Sequence, residues 1–174
     1  MSKHIVLEGF MGSGKSTVGI RLSYKMAMTV VDTDKLIERE QHKTISEIFS
    51  EEGEEAFRQM ETDCIGRLAE QNYSQIISLG GGVPMREQNR EILKRLGMVV
   101  YLRAKPETIY ARVKNDTSRP LLQCDDPLTR IRELMAQRGG IYEEAADVVI
   151  DTDERNIEQI LTEIVREAGK RGIV

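Results

Sequence analysis

Cysteine is scarce in this 174-residue chain: only Cys64 and Cys124 occur, and neither sits in a CxxC pair or a metal-ligand cluster. That argues against a disulfide framework and fits a reducing compartment. A basic excess is missing too, since 25 Lys+Arg stand against 29 Asp+Glu for a net charge of -4. A general nucleic-acid or anionic-membrane binder would want a basic face, so neither nucleic acid nor membrane is an expected partner, while local basic pockets stay open. No apolar run approaches the ~20 residues that span a bilayer, nor the length of a signal-peptide core. A cytoplasmic protein is expected. There is no internal repeat, low-complexity tract or linker, and the length suits one domain over residues 1–174.

What is there is alternation. Short apolar runs bounded by Gly, Asp or Pro recur at His4–Glu8, Thr29–Asp32, Gln75–Leu79, Met98–Leu102 and Val148–Asp151, each rich in Val, Ile or Leu. Strands buried on both faces have this composition. Between them lie segments of helical period: Phe57, Met60, Cys64 and Leu68 recur at spacings of three and four, as do Ile157, Ile160, Leu161, Ile164 and Val165. Pro106 and the Asp126-Pro127 pair fit helix starts. The pattern predicts an α/β fold, a five-stranded parallel sheet flanked by helices. One stretch fits neither period: Lys114–Asp125 is polar at its start, carries Arg119 and Pro120, and reads as a mobile lid over a site.

After the first expected strand comes Gly9-Phe10-Met11-Gly12-Ser13-Gly14-Lys15-Ser16, which satisfies GxxxxGK[ST] in a strand–loop–helix setting. Glycines let backbone N–H groups turn inward around phosphate oxygens, the next helix presents its positive end, and Lys15 adds charge between the β- and γ-phosphates. Gly12, Ser13, Gly14, Lys15, Ser16 and Thr17 are thus the expected nucleotide-phosphate-binding stretch, for ATP or GTP, with the Ser16 hydroxyl a ligand for Mg2+. The loop alone leaves open a GTPase, an ATPase motor, a nucleotide kinase or a metabolite kinase.

Three further motifs bear on that choice. Asp32-Thr33-Asp34 ends the second expected strand, where ligands of open α/β sheets bind. Mg2+ beside Ser16 would suit Asp32 and leave Asp34 for substrate, although a strand end followed by an N-cap aspartate reads equally well. In Phe57-Arg58-Gln59-Met60-Glu61, Arg58 and Glu61 are helical neighbours on the face away from the Phe57 stripe; a surface ion pair is the plain alternative. Gly80, Gly81 and Gly82 follow the third expected strand and permit close backbone approach to a ligand, or make a flexible turn.

GFMGSGKS, DTD, FRxxE, GGG, the RPLL of Arg119–Leu122 and the RxxxYxExA of Arg138–Ala146, in that order, resemble the shikimate kinase family over most of the chain. The resemblance implies a nucleoside-monophosphate-kinase-like fold with a lid at about 114–125 and a substrate-binding helical region at about 33–62. It also implies transfer of the ATP γ-phosphoryl group to the 3-hydroxyl of shikimate by a monomer, with one Mg2+ bound alongside ATP. Lys15, Asp34 and Arg119 then become catalytic, and Ser16 and Asp32 the metal ligands. Asp34, Arg58, Arg138 and the Gly80–Gly82 backbone would hold shikimate, while Arg112, Arg119 and Arg155 join the nucleotide side. Leu79 departs from the family, many of whose members carry Ser or Thr there. Rival readings are another metabolite or nucleotide kinase and a slow ATP-hydrolysing switch.

Overall fold

Valine, isoleucine and leucine fill the strands because helices cover both faces of the sheet. A computed structural model describes residues 3–119 and 122–173. Its strands are β1 (His4–Glu8), β2 (Val30–Asp32), β3 (Ile76–Ser78), β4 (Gly97–Arg103) and β5 (Val148–Asp151), all parallel in the order β2-β3-β1-β4-β5. β2 and β3 are shorter than the apolar runs suggest, and β4 longer. The helices are α1 (Lys15–Met26), α2 (Thr33–Gln41), α3 (Ile45–Glu52), α4 (Glu54–Ala69), α5 (Glu87–Leu96), α6 (Pro106–Val113), α7 (Pro127–Ala145) and α8 (Ile157–Lys170). None of them is long and apolar enough to cross a membrane.

Side chains alternate across a strand, so β1 feeds two cores. Ile5 and Leu7 pack with Val18 and Leu22 of α1 and with Ile160, Leu161 and Ile164 of α8. Val6, on the other face, packs with Phe57, Cys64 and Leu68 of α4 and Leu93 of α5. Both helical stripes read from the sequence are therefore core. A third cluster joins Phe10, Tyr101, Ile109, Leu122, Ile131 and Tyr142 under α6 and α7. His4 ties the far end of the sheet together: Gln75 N donates to its Nδ1 at 3.2 Å and its Nε2 meets Leu68 O at 3.1 Å. Burial pulls this imidazole below its usual range, which keeps the neutral tautomer that such pairing needs.

The order of strands sets the location of the site. From β1 the chain crosses to β2 on one side, and from β3 it crosses to β4 on the other, so the strand order reverses between β1 and β3. Such a switch point opens a crevice at the carboxyl ends of the strands. The phosphate-type loop follows β1 and the glycine triplet follows β3, one on each bank. Over Lys114–Asp125 the described residues form turns between α6 and α7; Pro120 and Leu121, in the middle of the expected lid, lie outside the described residues.

Candidate active site

Helix ends leave backbone N–H groups without partners. In α2, α3, α7 and α8 side chains satisfy them, namely those of Asp32, Thr44, Asp126 and Asn156. In α1 no side chain does: its N-cap is Gly14, at φ 101°, and no acidic residue lies in the first turn. Uncapped N–H groups at the positive end of a helix suit an anion. Lys15 curls over this end, its Nζ donating to Gly9 O at 2.7 Å and Phe10 O at 3.1 Å. Burial brings its pKa down to about 8; Asp34 opposes this, and the Arg119 guanidinium adds to it. Arg119 itself is held by Asp116, 3.0 Å from Nε, and Arg112 Nη1 donates to Gly12 O at 2.9 Å. Both arginines thus border the loop. Arg155 instead pairs with Glu163 on α8.

Across the crevice, the Asp32–Asp34 turn and the glycine triplet lock together. Thr33, buried, accepts a hydrogen bond from Gly80 N at 2.9 Å. That bond brings the Asp34 carboxylate against Gly80 so closely that a Cβ there would lie 2.5 Å from Asp34 Oδ1 and 2.9 Å from Glu61 Oε1. A Cβ at Gly82 would overlap the Arg58 guanidinium. The triplet is therefore not a flexible turn: side chains of two other segments, α2 and α4, fill the space that a Cβ at Gly80 or Gly82 would need. Arg138 and Tyr142 of α7 flank Gly81, the Tyr142 hydroxyl donating to Gly81 O at 2.5 Å, and the Arg138 guanidinium sits 5.9 Å from the Phe10 ring centroid.

Glu61 corrects one expectation. Rather than standing on an outward face it is 1% exposed, and its bond to Arg58 Nη1 at 2.8 Å is an internal one. Burial pushes Glu61 up to about 7 against the downward pull of Arg58. Asp34 is likewise pushed up by burial, and then by Asp32, to about 6; Lys15 and Arg58 pull it down. Its Oδ1 is buried without a hydrogen-bond partner among the described residues. An acceptor left bare at the edge of a crevice is suited to a hydroxyl donor from a ligand.

Asp32 does two jobs at once. One carboxylate oxygen caps α2 by accepting from Lys35 N at 3.1 Å, and among the described residues no hydrogen bond is made to the other. With the exposed Ser16 hydroxyl this gives one carboxylate and one alcohol, hard oxygen donors. Such a set is too sparse for a protein-only metal cage, and among the described residues no group of three or more ligating side chains could hold an ion. It fits Mg2+, which keeps its waters and takes the rest of its oxygens from phosphates.

Sequence reasoning assigned no role to Thr33 or Tyr142. Both lie inside quoted motifs, yet what they do depends on contacts with the triplet 47 and 61 residues away. Glu8, a buried carboxylate at the end of an apolar strand, passed without remark although its place in that run was visible.

A family model described as shikimate kinase matches residues 11–168. A shikimate kinase of Symbiobacterium thermophilum is 43% identical over 171 residues, spanning 97% of this chain and 98% of the relative. One from Deinococcus radiodurans is 45% identical over 161 residues, 92% of this chain and 81% of the relative. Among solved structures, shikimate kinase from Acinetobacter baumannii in complex with shikimate matches with a TM-score of 0.91 at 34% identity, covering 100% of this chain and 97% of that one. Matches of this extent, to a chain whose phosphate-type loop faces a glycine triplet between two arginines, mean that it belongs to the shikimate kinase family.

Proposed function

We propose that this chain transfers the γ-phosphoryl group of ATP to the 3-hydroxyl of shikimate, with the phosphates on the α1 side of the crevice and the acid on the triplet side. The observation that carries the reading is the convergence of Asp34, the Arg58–Glu61 pair and Arg138 on Gly80–Gly82, directly across from Lys15. Two guanidiniums beside a bare carboxylate make a pocket that fits a small molecule bearing both a carboxylate and hydroxyls. The protein's net negative charge attracts no acid from a distance, so the pocket has to supply the attraction locally.

Phosphoryl transfer asks mainly for positioning and positive charge around the moving group. In this scheme Lys15 leaves the Gly9 and Phe10 carbonyls for the β- and γ-phosphates, and the N–H groups of Gly12 to Thr17 cradle them. Ser16 and the free oxygen of Asp32 would hold Mg2+, which neutralises phosphate charge when bound. Asp34 orients the attacking hydroxyl and can accept its proton. Arg119 reaches the moving phosphoryl group when the Lys114–Asp125 segment closes and excludes water. ADP release measured with and without shikimate tests the whole scheme: turnover that depends on shikimate is expected, and equal ATP turnover without it would favour a slow nucleotide switch.

Two narrower outcomes follow. Lysine offers a point charge where Arg58 offers a fork, so Arg58→Lys should raise KM for shikimate about tenfold, near 1.4 kcal/mol, with KM for ATP little changed. Steady-state kinetics in each substrate check this, and an equal effect on both would return Arg58 to a structural role. Closure of the lid should slow amide hydrogen exchange across 114–125 when ADP and shikimate are added together. Unchanged exchange would remove the lid assignment.

A further inference from the structure

Glu8, the last residue of β1, is 0% exposed, and neither of its carboxyl oxygens has a hydrogen-bond partner among the described residues. An ionised carboxylate in such a place is strongly disfavoured. Its side chain lies on the face of the sheet that carries Val6 and its register partner Tyr101. The titratable groups around it are Lys15 from the phosphate loop, Asp147 from the turn before β5, Tyr101 from β4 and Tyr142 from α7. On its other flank, among the described residues, stand Ser78 of β3 and Leu79 just beyond it, neither of them charged. Lys15 is the single cation of that set, and its Nζ rests on Gly9 O, the carbonyl of the residue after Glu8.

We propose that Glu8 is a positioning residue which serves nucleotide binding in its neutral form, and that a Glu8 carboxylate takes up a proton from solvent when nucleotide phosphate arrives at the loop. The inference rests on reading Gly9–Ser16 as the ATP phosphate loop. An ionised Glu8 would hold the Lys15 ammonium against the inner side of the loop and repel incoming phosphate; the protonated acid does neither. Burial pushes Glu8 up to about 8, Lys15 pulls it down and Asp147 pushes it further up, so the switch falls just above neutrality. The sign is fixed by linkage: bound phosphate raises the Glu8 pKa, so affinity is full below it and declines as pH rises through it.

Lys15 titrates in the same window and also favours its protonated form with phosphate bound, so the comparison that isolates Glu8 is between wild type and Glu8→Gln. ADP binding is measured by calorimetry at about pH 8 in two buffers of different ionisation enthalpy, and again from about pH 7 to about pH 9. Wild type should take up more protons per ADP than Glu8→Gln, and its affinity should fall by up to about tenfold more across that range. ADP bound by both proteins with equal proton uptake and parallel pH curves would overturn the proposal. A merely structural Glu8 would shift Tm and leave the proton count unchanged. Should Glu8→Gln not fold, Glu8→Val, which continues the apolar run of β1, takes its place with the same expected loss of uptake. Failure of wild type to bind ADP would overturn the phosphate-loop reading itself, a result distinct from equal proton counts.

Discussion

Lys15→Met should reduce kcat/KM for phosphoryl transfer by at least about 100-fold, because it removes a preorganised charge aimed at the group where negative charge shifts during transfer. Methionine keeps the length of the side chain and much of its packing, so the loss isolates the ammonium. The fold should survive. Burial holds Lys15 at about 8, well below an ordinary lysine; at neutral pH the charged form is therefore disfavoured in the folded protein relative to the unfolded chain. A neutral side chain avoids that cost, though it gives up the hydrogen bonds to Gly9 O and Phe10 O, and Tm should hold or rise. Activity within about tenfold of wild type would contradict the role given to Lys15, and a large drop in Tm would contradict its electrostatic basis.

Asp34→Asn comes next in size. The variant preserves the shape of the side chain but removes its charge and basicity. Lost general-base assistance typically costs about 100-fold or more. kcat should fall by that order while KM for ATP moves little, since the carboxylate lies on the triplet side of the crevice, beside Gly80 and Glu61. The present structure gives a stability counterpart. Burial raises Asp34 to about 6, so the unfolded chain ionises first, and the group's contribution declines as pH rises from the ordinary carboxylate value of 3.8 through about 6. At neutral pH asparagine should thus be tolerated or mildly stabilising. A variant that weakened ATP binding alone would move Asp34 to the nucleotide side.

All five strands were legible because each is an apolar run closed by Gly, Asp or Pro; in β1, β3 and β4 burial on both faces favours that composition, and the edge strands β2 and β5 keep it although Val30 and Val149 are partly exposed. The crevice was legible for a different reason: its motifs sit at strand ends, and strand ends are where such a sheet binds ligands. What could not be read was depth. Arg58 and Glu61 are three apart whether they bond on the surface or inside, and only the packing of α4 against the triplet buries Glu61. The middle residue of Asp32-Thr33-Asp34 looked like a spacer, yet its hydroxyl fastens the turn to Gly80. Asp32 resisted a single reading because it serves as helix cap and leaves an oxygen free, two roles the local sequence weighs equally. Glu8 shows the same limit from the other side, since a glutamate closing a strand is ordinary at a surface and costly where β1 ends, in the middle of the sheet.

The central claim is the identity of the acceptor, and the product reports it most directly. Incubation of the wild-type protein with ATP, Mg2+ and shikimate, followed by phosphorus and proton NMR of the mixture, should show ADP and a phosphomonoester whose phosphorus couples to the proton on ring carbon 3 of shikimate. ADP accompanied only by inorganic phosphate, or an ester on a different ring oxygen, would contradict the assignment.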